Sequence, residues 1–226
     1  MKVALILTGF TRSHIQNFDS IKQLILNRYE TDVYFATWNK TQSNVRSELL
    51  KSNNENIIEL YKNYLKEYTI VDFDFYQQNR KPITFLNREE DVFKVNKRAI
   101  EHGPFWVERL RDQWYLVNLA EKLIYGKYDI VIRLRFDIKL HQFELLDEEF
   151  VTPSPHPINP YTDHLAYGSQ TIMRKYCSLY SHIEKLYTDC NVDISFAELM
   201  LQYYMENIYP PVKAFIDPNI KYEIIK

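Results

Sequence analysis

Tyr128-Asp129-Ile130-Val131-Ile132-Arg133-Leu134-Arg135-Phe136-Asp137 is the stretch from which the fold is read. Its apolar centre is too continuous for a strand with one wet face, so it suits a strand covered on both sides, and it ends in charge. Residues 2–8 form a second such run, closed by Gly9. Between the two, Phe18, Ile21, Leu24 and Ile25 have helical spacing, and residues 32–38 read as another strand, giving β-α-β. Ile57, Ile58, Leu60, Tyr61, Tyr64 and Leu65 repeat the helical spacing, and residues 68–75 read as a further strand. Residues 77–97 are polar and carry Pro82, which predicts an irregular excursion. Pro104 suits the first turn of a helix whose apolar face is Leu110, Trp114, Val117, Leu123 and Ile124, with Gly126 as its stop. Beyond residue 137 come a loop with Pro153, Pro155, Pro157 and Pro160, a helix opened by residues 163–168, and helical patterns around 171–187 and 195–207. Strands separated by helices predict an α/β fold with a mostly parallel central sheet flanked by helices, one domain over 1–226. Ligands of such sheets bind at the carboxyl ends of the strands.

Composition narrows the function. Twenty-eight basic against 30 acidic residues give a net charge of -2, so no broad positive field exists to hold a nucleic-acid backbone. No apolar stretch approaches the roughly 18 to 20 residues that span a bilayer, and residues 1–10 lack a secretory cleavage pattern; a cytoplasmic location without a transmembrane segment is expected. Cys177 and Cys190 share no metal-ligand spacing. The dinucleotide fingerprint GxGxxG, the phosphate loop GxxxxGK(S/T), HExxH and GxSxG are all absent, which removes support for simple dehydrogenases, kinases, metalloproteases and serine hydrolases.

The strand end at 133–137 carries the chemistry. Alternation puts Arg133, Arg135 and Asp137 on one face, and burying two guanidinium groups beside one carboxylate is costly unless an anion or a metal completes the set. A diphosphate fits: arginine clamps it bidentately, and a carboxylate can hold Mg²⁺ or Mn²⁺ against it. The alternative is a structural Arg–Asp ion pair. A literal Asp-x-Asp occurs at Asp72-Phe73-Asp74, where the simpler expectation is a solvated strand edge with Val71, Phe73 and Phe75 turned inward.

The run Leu7-Thr8-Gly9-Phe10-Thr11-Arg12 after the first strand, Thr37-Trp38 ending the second, and residues 128–137 after a long helix together resemble small nucleotide-sugar glycosyltransferases of the GT-A fold, over roughly residues 1–205. The resemblance implies a nucleoside-diphosphate sugar donor, UDP-linked among others, and a glycan or glycoprotein acceptor. It places Thr8, Gly9, Thr11 and Arg12 at the nucleotide, Trp38 near nucleotide or sugar, Gln113 at the donor sugar, and Arg133 and Arg135 on the diphosphate. The family's metal-binding Asp-x-Asp falls on Arg135-Phe136-Asp137, leaving Asp137 as ligand to Mn²⁺ or Mg²⁺ and an arginine where the first aspartate stands. Acceptor deprotonation needs a carboxylate or imidazole, for which Asp163 is the first candidate, His164 the second and Glu198 the third. Two competing readings remain: metal-dependent phosphoester hydrolysis using Asp72, Asp74 and Asp137, and a binding module that keeps the fold without the chemistry.

Overall fold

A computed structural model describes residues 1–11, 13–42, 49–51, 54–82, 97–153, 161–190, 192 and 196–225. In chain order the elements are β1 Lys2–Gly9, α1 His14–Ile21 continuing into a π turn Lys22–Leu26, β2 Glu30–Trp38, β3 Lys40–Gln42, β4 Leu49–Lys51, α2 Glu55–Tyr61, β5 Leu65–Val71, α3 Phe73–Asn79 and α4 Lys97–Lys122. The second half holds β6 Ile130–Arg135, β7 Ile138–Gln142, β8 Phe150–Pro153, β9 Leu165–Gly168, α5 Gln170–Cys177, a 3-10 turn Ser178–His182, α6 Ile183–Thr188, α7 Ala197–Asn207, β10 Phe215–Asp217 and β11 Lys221–Ile224. The fold class is α/β, as the alternation of strand and helix predicts.

Seven strands form the main sheet in the order β10-β8-β9-β6-β1-β2-β5. β9 runs antiparallel to β6 and β8, while the other pairings are parallel. Alternate residues of β1 enter different cores: Ala4 and Ile6 join Trp114, Val117, Met173 and Met200, whereas Val3, Leu5 and Leu7 join Ile21, Ile25, Ile57 and Ile138. Double-sided burial is the physical reason for the unbroken apolar run. β6 obeys the same alternation, with Ile132 and Leu134 on the α1 side and Val131 on the α4 side. Arg133 and Arg135, in step with Val131, therefore face α4. β7 continues from β6 through a two-residue turn at Phe136 and Asp137 and pairs with β11, which brings the end of the chain beside the end of β6.

Several expectations are corrected. The strand expected over 68–75 ends at Val71, because Asp72 caps a new helix: its carboxylate accepts from the Phe75 amide at 2.8 Å. The long helix begins at Lys97, so Pro104 lies inside it and not in its first turn; it ends at Lys122, and Gly126 has no left-handed backbone to close it. Residues 163–168 open no helix. Residues 165–168 form β9 instead, with Leu165 and Tyr167 in one core and Ala166 in the other. No helix among the described residues is long and apolar enough to cross a membrane.

Candidate functional site

The carboxyl ends of β1 and β6 and the antiparallel start of β9 meet at one place, because Thr8 is level with Arg135 and Leu165 with Leu134. Asp163 and His164, just before β9, are delivered there by that pairing, and Gln113 reaches in from α4. The Gln113 amide donates to Asp163 Oδ2, and His164 Nε2 lies 3.1 Å from Asp163 Oδ1. Arg135 binds Asp137 bidentately, Nε to Oδ1 at 2.9 Å and NH2 to Oδ2 at 2.5 Å. Its third nitrogen, NH1, stands 3.9 Å from Asp163 Oδ2, too far for a hydrogen bond. The turn that carries Asp137 is fixed on both sides: the Phe136 amide donates to Thr8 O, Asn17 donates to Phe136 O, and the Ile225 amide donates to Asp137 O.

Arg133 behaves differently. It has no exposed surface, and its Nε, NH1 and NH2 all lack a hydrogen-bond partner among the described residues. Its guanidinium carbon lies 6.0 Å from the centre of the Trp114 ring, on the face lined by α4. The Thr8 hydroxyl and the Trp114 indole nitrogen, both buried, also have no hydrogen-bond partner among the described residues. A buried donor left unsatisfied costs about 1–3 kcal/mol, and more when charged. Among the described residues, two guanidinium groups stand there against the Asp137 and Asp163 carboxylates, and what Arg133 lacks among them is acceptor oxygens.

Burial alone would raise the Asp163 pKa, but the charges of His164, Arg135 and Arg133 and the Gln113 bond outweigh it and hold the carboxyl down at about 2. His164 is pushed below its ordinary value by burial and by the two arginines, against the pull of Asp163, so it is neutral at pH 7. That neutral ring leaves the two arginines as the standing charges that keep Asp163 ionised. His164 Nδ1 lies 3.0 Å from the hydroxyl of Tyr222 on β11, and the His164 amide donates to the Thr162 hydroxyl. Burial leads the causes that raise the Tyr222 pKa, and the charge of Glu198, in the first turn of α7, adds to them. Of the three base candidates, His164 is the one seen in contact with this tyrosine. Tyr222 itself escapes sequence reading: it sits in a short strand far along the chain, and only the β7–β11 pairing brings it in.

Other predicted positions divide. Gly9 is at the end of β1 with φ of +107°, a conformation that favours glycine. The Thr11 hydroxyl donates to Asn54 at 3.4 Å, on the side where β2 ends. Arg12 lies outside the described residues. Trp38 is buried, stacked on Tyr115 at 6.0 Å and edge-on to Phe73 at 5.2 Å, so packing accounts for it. Asp72 is a helix cap and Asp74 pairs with Lys40 at 2.6 Å. Both follow β5, three strand spacings or about 14 Å across the sheet from β6, so the carboxylates needed for phosphoester hydrolysis are not gathered with Asp137. An open hollow of about 570 Å³ lined by Asn118, Glu121, Lys122, Arg174, Lys175 and Ser178 lies elsewhere; none of these residues belongs to the strand-end network.

The donor set does not fit a divalent cation. Each Asp137 oxygen already accepts an Arg135 N–H, both Asp163 oxygens face donors, and no group of three His, Cys, Asp or Glu among the described residues could hold a metal. Neither a protein-family model nor a curated protein matches the chain.

Proposed function

We propose that the chain is a GT-A-like glycosyltransferase that moves a sugar from a nucleoside-diphosphate donor to a hydroxyl of a glycan or glycoprotein acceptor. One observation carries this reading: Arg133, wholly buried two residues before the end of β6, has donors on every guanidinium nitrogen and, among the described residues, no acceptor for any of them. A diphosphate supplies acceptor oxygens in the density that two neighbouring arginines require. Arg135, which ends β6, lies where the rule for such sheets puts ligands, at the strands' carboxyl ends.

Each residue then has a task. Arg133 and Arg135 stabilise the negative charge that builds on the leaving diphosphate as the bond to the sugar breaks. Gln113, fixed on Asp163, presents the α4 face to the donor sugar. Asp163, with a pKa of about 2, is a weak base; its carboxylate holds the His164 Nε2–H tautomer instead. His164, neutral, supplies the basicity, and Nδ1 is the atom left to take the acceptor's proton, where the Tyr222 hydroxyl now sits.

The test is a thermal-shift screen of UDP-, GDP- and TDP-sugars followed by transfer assays on an acceptor panel, since a ligand that binds only the folded state raises apparent stability by mass action. A rise with one nucleotide sugar, and sugar transfer that His164→Gln abolishes, are expected. Release of free sugar or nucleotide with no transfer to any acceptor would favour a hydrolase, and binding with no turnover would favour a binding module.

A further inference from the structure

The Arg135–Asp137 pair lies where the resemblance puts a metal-binding carboxylate, and its geometry is that of an organised cation. Two nitrogens of the guanidinium grip both Asp137 oxygens at 2.9 and 2.5 Å, which fixes the plane of the group. The remaining NH1 makes no hydrogen bond among the described residues, and the Arg135 side chain is 20% exposed, against 7% for Asp137 and 6% for Asp163. Arg135 is therefore the member of the cluster that meets a ligand arriving from solvent, with Arg133 behind it, two residues along the same face of β6. Both oxygens of Asp137 and of Asp163 already face a donor of this chain.

We infer that Arg135 takes the place of the divalent cation: Arg135 NH1 holds the diphosphate, the charge of Arg133 behind it supports the hold, and binding needs no metal. This rests on the donor reading above. Asp137 is then a positioning residue that orients Arg135, and not a metal ligand.

Calorimetric titration of UDP, GDP and dTDP into the full chain, in EDTA and again in Mn²⁺, separates the possibilities. One of the diphosphates binds with a dissociation constant that agrees within about twofold between the two buffers, and Mn²⁺ alone leaves its free-ion electron-spin signal unchanged. Arg135→Gln weakens binding by about tenfold or more in EDTA, while Arg135→Lys, which keeps the charge, loses less. Arg135→Asp makes binding depend on Mn²⁺. A wild-type chain that loses about tenfold or more of its affinity in EDTA and regains it in Mn²⁺ overturns this inference and leaves the donor reading standing. An Arg135→Gln variant that is folded and binds as tightly as wild type does the same. Failure of every diphosphate to bind in both buffers overturns the donor reading and this inference together.

Discussion

Asp163 is held between an imidazole, a side-chain amide and a guanidinium, and acid acts on that arrangement in two steps. As pH falls through 6.5, the ordinary value for histidine, the unfolded chain takes up a proton that buried His164 refuses, so stability drops; buried His14 adds a change of the same sign. Between 3.8 and about 2 the same happens at Asp163, whose carboxyl the unfolded chain protonates first, a further loss of about 2 kcal/mol. Urea unfolding at a series of pH values should therefore show stability falling below pH 6.5, with a shallower slope in His164→Gln; an unchanged slope in that variant would contradict the assignment. Tyr222→Phe removes the hydroxyl at His164 Nδ1 and should cost about 1 kcal/mol in the same measurement. The arginines and Asp137 were legible in sequence because charge closing an apolar strand is conspicuous. Which of them pair was not, since alternation fixes a face and not a partner: Arg135 closes on Asp137 across a turn, and Arg133 makes no side-chain hydrogen bond among the described residues.

Short elements were the least legible. β9 has four residues, too few for a period to show, and the Asp163-His164 start mimicked a helix opening. Its identity comes from non-local pairing with β6 and β8, and Gly168 records the closeness of that pairing. A Cβ there would stand 2.3 Å from the Glu149 carbonyl oxygen, which is itself held by the Ser169 amide at 3.0 Å and cannot retreat. Gly168→Ala should cost about 1–3 kcal/mol, seen as a lower urea midpoint with an unchanged slope. Because β9 delivers Asp163 and His164, that variant should also lose activity beyond its loss of stability. α3 was missed for a related reason: Phe73 and Phe75 alternate like strand residues, but the Asp72 carboxylate caps the Phe75 amide and turns the chain into a helix.

At the scale of the molecule, long apolar runs announced β1, β2 and β6, and the mostly parallel sheet followed from their separation by helices. The reversed β9, and the return of the chain end as β11 beside β7, depend on contacts between distant residues, which local pattern does not encode. Those two features close the candidate site, one bringing the acid and imidazole, the other the tyrosine. A sheet whose core holds a guanidinium with no hydrogen-bond acceptor among the described residues carries a cost that a ligand's oxygens would offset. Arg133→Met is the direct measurement, because it deletes three buried donors that have no acceptor among the described residues, together with one of the two guanidinium charges that hold Asp163 ionised. Whatever its melting temperature without ligand, the variant should show none of the rise that a nucleotide sugar gives the wild-type chain. A variant that melts lower and keeps the full nucleotide-induced rise would show Arg133 to be a structural residue, and would contradict the account.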